Sequence, residues 1–147
     1  MREMTNDTLR VCITKKLKNH YPKMEIRSDL AGNIRTLPAF FVRTVNVTQE
    51  EAGFDFYHQK YLMEVRYHPD EMMNENGKQS ILNVISGELM DILQNIRTEV
   101  FSTHAQNIES EVSDGVLVVT ATYTVRKLIQ KEIPENMQVL EERTEVI

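Results

Sequence analysis

The feature that most constrains this chain is a pair of alternating runs, residues 105–112 and 116–129, separated by Ser113-Asp114-Gly115. Asp-Gly supplies the positive φ that a tight hairpin turn requires. In the second run Leu117, Val119, Ala121, Tyr123, Val125 and Ile129 fall on one face, and Thr120, Thr122, Thr124 and Arg126 on the other. A period of two with one apolar face is a half-buried strand. An antiparallel hairpin is therefore expected, and its apolar face needs a covering layer.

Two helical patterns can supply that layer. Leu9, Cys12, Ile13 and Leu17 recur at helical spacing behind the cap-type residues Asn6 and Asp7, which predicts a helix over about 7–19. Tyr21-Pro22 ends it, because the residue before proline avoids the α region. Ile81, Val84, Ile85, Leu89, Ile92, Leu93 and Ile96 mark a second, longer helix introduced by residues 74–77. Gly87 within it costs roughly 1 kcal/mol against alanine, which suggests close packing of helix on sheet.

The remaining strands are read from composition and alternation. Residues 24–27 form a short strand and 31–33 a turn. Pro38 opens a β-rich run to Val47 with apolar side chains on both faces near its start, so that end is expected to be covered twice. Residues 49–56 have loop composition but include Phe54 and Phe56, apolar loop residues that want a partner. Residues 57–67 alternate as a half-buried strand, and 99–101 read as another short one. The expected fold is α+β, a mostly antiparallel β-sheet with two helices packed on one face, in the order α-β-β-β-α-β-β-β. Residues 1–130 make one domain, and the acidic segment 131–147 is a C-terminal arm in which Ile133, Met137, Val139 and Leu140 still want burial.

The 147 residues suffice for one core. Charge is uneven: residues 1–37 carry 8 basic and 4 acidic side chains, 38–130 carry 7 and 13, and 131–147 carry 2 and 5. The net charge of −5 disfavours non-specific nucleic-acid binding. The asymmetry reads as a helix with a solvated basic face, and it also suits docking of one copy on another, basic end to acidic body. The first ten residues hold no apolar stretch, so no secretory signal is expected. No apolar run approaches the ~18 residues of a membrane span. A single cysteine, Cys12, allows no internal disulfide, and its place on the apolar stripe of the first helix reads as an inert buried thiol.

Catalytic signatures are scarce. The five glycines form no phosphate loop, and HExxH, CxxC and GxSxG are absent. His58 and His68 lie ten residues apart along one strand, about 30 Å if it is regular, too far to share a metal. Glu50, Glu51 and Asp55 form an acidic loop, and Glu109 and Glu111 share a strand face; without apolar surroundings both sets read as solvated charge. Met72, Met73 and Met137 lie off the apolar stripes, where thioethers suit either adaptable contacts or capping of the core. The threonine face of the last strand suits water or another subunit equally. No catalytic, cofactor-binding or metal-binding residue is assigned.

Several stretches in order resemble the phage tail terminator family of phages and prophages of Gram-positive bacteria. They are Asn19-His20-Tyr21-Pro22 after the first helix, Pro38-Ala39-Phe40-Phe41-Val42, and Val65-Arg66-Tyr67-His68-Pro69. The Leu/Ile-rich helix, Asp114-Gly115-Val116-Leu117 and Met137-Gln138-Val139-Leu140-Glu141 complete the set. The resemblance implies a small α+β virion protein that forms a ring, typically of six copies, at the head-proximal end of the tail tube. There it ends tube polymerisation and offers a docking surface to head completion proteins. It implies partners in the chain itself, the tail tube protein and head completion or connector proteins, and no enzymatic activity, cofactor or membrane. It also implies a virion location, with assembly in the host cytoplasm. Phe54, Phe56, Ile133, Met137 and Leu140 are the residues expected to reach a neighbour or the tube, and an acidic lumen would let DNA pass without sticking. Two alternatives stay open at this point: another neck or head-completion connector, and a small ligand-binding or enzymatic domain.

Overall fold

The computed structural model describes residues 6–27, 38–97 and 102–128. Eight elements follow one another in the expected order: α1 (Asn6–His20), β1 (Glu25–Arg27), β2 (Ala39–Glu51), β3 (Phe56–His68), α2 (Glu75–Gln94), β4 (Asn95–Arg97), β5 (Ser102–Ser113) and β6 (Val116–Leu128). They form one six-stranded sheet in the order β1-β2-β3-β6-β5-β4. Only the β1–β2 pair is parallel.

The hairpin read from Asp114-Gly115 is present. Ser113 pairs with Val116, and both turn residues have positive φ, 54° at Asp114 and 77° at Gly115. That pair of dihedrals matches the right-handed twist of the flanking strands. The alternation in β6 resolves as expected among the described residues. Leu117, Val119, Ala121 and Tyr123 are buried in the core, and Val125 packs against it.

Both helices cover the same face. The core joins Leu9, Ile13 and Leu17 of α1 to Leu82, Ile85, Leu89, Ile92 and Leu93 of α2. Phe40 and Val42 of β2, and Tyr61, Met63, Val65 and Tyr67 of β3, lie beneath them. α2 starts on Asn74, whose side-chain oxygen accepts from the Gly77 N–H at 2.7 Å, an N-cap in extended conformation. Its end is tied down from the sheet: the buried Tyr123 hydroxyl donates to the Leu93 carbonyl at 2.6 Å. That bond supplies one of the acceptor-satisfying contacts a helix C-terminus lacks by itself.

Three expectations need correcting, and a fourth falls outside the described residues. Residues 49–51 and 56 are strand, not loop, so the connection between β2 and β3 is only residues 52–55. Ile96 leaves the helical stripe and sits in β4, opposite Thr103, still buried. Gly87 is exposed, and a Cβ built there meets nothing within 4 Å, so close packing is not its role. The strand expected at 99–101 lies outside the described residues, and β4 precedes it. Ala39 and Phe41, on the sheet face away from the helices, are buried, so the start of β2 is covered on both sides as expected. Phe41 meets the His68 ring edge-on at 4.9 Å.

Candidate assembly interface

The two 13-residue strands β2 and β3 are much longer than the core needs. Burial along β2 falls from complete at Ala39–Val42 through half-buried Arg43 and Thr44 to an exposed stretch from Val45 onward. Strands of that length span roughly 40 Å, so the β2–β3 hairpin carries its outer half past the helices. A bulge between Thr44 and Asn46 sits where it leaves the core. Such an extra residue strengthens local twist and re-aims a strand.

The outer half is held by its own contacts. β6 pairs with β3 as far as Phe56 opposite Leu128. The Gln59 amide donates to Gln49 at 2.6 Å, and the Tyr61 hydroxyl donates to Gln59 at 2.8 Å. At the tip the Ala52 N–H donates to the Phe56 carbonyl.

The two expected contact residues at the tip do different jobs. Phe56 is half-buried: the Arg126 guanidinium lies 4.0 Å above its ring and His58 packs 5.8 Å away. A Cβ at Gly53 would meet the Phe56 ring at 2.4 Å, so the turn can lie on the ring only because position 53 is glycine. Phe54 is 87% exposed, and Leu128 beside the tip is 67% exposed. Glu50, Glu51 and Asp55 surround Phe54 in sequence, all exposed and in no ion pair among the described residues. Ile133, Met137 and Leu140 lie outside the described residues.

The sheet face away from the helices carries a feature that sequence reading passed over. Glu64 is 5% exposed, buried by its position at the centre of β3. Arg43 grips it with both Nε and a terminal nitrogen at 3.2 Å, and Arg66 Nε reaches it at 2.5 Å. Burial by itself would raise the Glu64 carboxyl, but the two guanidiniums outweigh that and hold it below the usual carboxylate range. The signal was present as Arg43 and Glu64 on the outward positions of neighbouring strands, but only the register Arg43 opposite Glu64 makes it a pair. Thr120 and Thr122 lie beyond on β6, and Glu109 of β5 lies opposite Thr120.

A cleft of about 400 Å³ between α1 and α2 is lined by Lys16, His20, Tyr21, Glu88, Asp91 and Ile92. Two of its polar groups are engaged with the protein itself. Lys16 Nζ donates to the Asn95 carbonyl at 2.6 Å, and the Tyr21 hydroxyl donates to Glu88. Burial first, then Glu88, pushes the Tyr21 phenol far up, which makes it a poor acid. Cys12 is half-buried, and burial raises its thiol too. The described residues hold no cluster of three or more His, Cys, Asp or Glu side chains suited to a metal. Among the described residues no helix is long and apolar enough to cross a membrane.

Residues 8–135 match the family described as phage tail terminator protein. The chain belongs to the phage tail terminator family. A member of that family is a structural component of the phage tail, and the α+β architecture with its projecting hairpin is the form this one takes. No curated protein matches the chain. One solved structure aligns over 89% of this chain and all of its own at 12% identity, with a TM-score of 0.42, too distant to bear on the fold.

Proposed function

We propose that the chain assembles as a ring, of six copies, on the head-proximal end of the tail tube. The ring stops addition of tube protein and presents the surface on which head completion proteins dock. The observation that carries this reading is the hairpin tip. A chain of the terminator family extends two long strands, with β6 paired to them, into a hairpin whose β2 side is exposed and which ends in an exposed Phe54. Exposed apolar groups at the end of a built projection mark a contact site. Residues 131–147 act as a second arm, with Ile133, Met137 and Leu140 reaching a neighbouring copy or the tube.

The proposed role needs no chemistry beyond binding, and no cofactor. In the cleft between α1 and α2, Tyr21 and Lys16 are spent on Glu88 and the Asn95 carbonyl, which favours contact over catalysis. The excess of acid over base in residues 38–130 would let DNA slide through the ring without adhering. Assembly takes place in the host cytoplasm, with the finished protein in the virion neck.

The test is a polymerisation assay with purified tail tube protein. Added during growth, the chain is expected to shorten tubes and to sit at one end only, seen by electron microscopy. Tubes of unchanged length with bare ends would refute the terminating role.

A further inference from the structure

The tip of the hairpin has a complement elsewhere on the same chain. In α1, Leu9, Ile13 and Leu17 face the core. At 3.6 residues per turn, Val11, Lys15 and Lys18 form the opposite stripe. Val11 is 41% exposed, and both lysines are exposed. Lys18 makes only a long 3.5 Å contact with the Met24 carbonyl. An apolar residue flanked by two positive charges thus faces outward on α1, and an aromatic residue flanked by three negative charges faces outward on the hairpin.

We propose that the hairpin tip of one copy docks on the outer stripe of α1 of the next copy. Phe54 packs against Val11, and Glu50, Glu51 and Asp55 lie against Lys15 and Lys18. The inference rests on the ring reading and names the contact that builds the ring. Two different surfaces of one chain that fit each other make a head-to-tail contact, which closes into a ring when the rotation permits. Charge complementarity selects a second copy as the occupant: the hairpin contributes three acids and the stripe two bases, and within one copy these acids make no ion pair among the described residues. Apolar contact at the centre with opposite charges at the rim is also the ordinary anatomy of a specific interface.

The test uses two full-length variants, one with Glu50→Lys, Glu51→Lys and Asp55→Lys, the other with Lys15→Glu and Lys18→Glu. All five positions are exposed, so thermal melts should match the unaltered chain. Each variant alone is expected to weaken self-association by about tenfold or more, because like charges then meet. Mixed in equal amounts, the two are expected to assemble again, since each hairpin now finds an oppositely charged α1 on the other variant. Association of the unaltered chain is expected to weaken as salt rises.

Assembly of the unaltered chain with both variants equally competent would overturn this contact and leave the ring reading standing. Loss in the α1 variant alone, with no rescue on mixing, would overturn it too, and would place another acidic partner on α1, such as residues 131–147 or the tube. An unaltered chain that stays monomeric throughout would overturn the contact and the ring together.

Discussion

At the scale of single residues, Glu64 is the group whose surroundings do most to set its behaviour. It is buried, and its charge is held by Arg43 and Arg66, each of which keeps about a third or more of its side chain in water. Glu64→Gln keeps the shape and removes the charge, and is expected to cost about 1–3 kcal/mol of stability by chemical denaturation. The pH dependence follows from two neighbours on β3. Glu64 has a lowered folded pKa, so its contribution is full above the unfolded value of about 4.3 and is lost as pH falls through the folded one. His68 is lowered by burial and by Arg66, and its Nε2 is buried without a hydrogen-bond partner. It therefore resists protonation, and stability begins to fall below about pH 6.5. Melts across pH are expected to be flat between about 6.5 and 8.5, to decline in two stages below that range, and to fall again above it, where an unfolded chain releases the Cys12 proton that burial retains. In Glu64→Gln the decline below pH 4 should be smaller, which separates the two groups.

At the scale of elements, the sequence was most legible where a buried face imposed a period. The stripes of α1 and α2, the alternation of β3 and β6, and the Asp114-Gly115 turn all report burial or backbone geometry, and all are found, except that in α2 Leu82 is buried and Val84 is exposed. The last three residues of β2 have loop composition because Gln49, Glu50 and Glu51 have no buried face to alternate against. Strand there is held by pairing with β3, and pairing leaves no mark on local composition. Ile96 kept its apolar character while changing element, since a helix stripe and a buried strand position ask for the same residue.

Gly87 was the opposite case, a signal with no packing behind it. With open space at its Cβ and no positive φ, Gly87→Ala is expected to stabilise α2 by about 0.5–1 kcal/mol, read as a raised Tm. The hairpin tip gives a paired expectation. Phe56→Ser removes a ring held between Arg126 and the Gly53 turn and should cost about 1–3 kcal/mol. Phe54→Ser should leave stability within about 0.5 kcal/mol and weaken assembly instead. If the two variants melt alike and assemble alike, the division of labour at the tip is wrong.

At the scale of the whole molecule, the order of elements and the placement of both helices on one face could be read from the sequence, because each apolar face has one sensible place to go. The Arg43–Glu64–Arg66 cluster could not, because it depends on which strand lies beside which and in what register. What a tail terminator must do is meet other chains, and the molecule is built unevenly for it. It has a basic helix on one side, a long acidic-tipped hairpin projecting past the core, and a compact sheet between. In the proposed ring, a repeated one-way contact joins the hairpin of each copy to the next.

The most direct measurement is the mass of the purified full-length chain by native mass spectrometry over a concentration series. The account expects one discrete multi-copy species, six-fold in mass, that grows at the expense of monomer without a tail of larger products. A chain that remains monomeric at every concentration, or one that forms an open ladder of ever larger species, would contradict it.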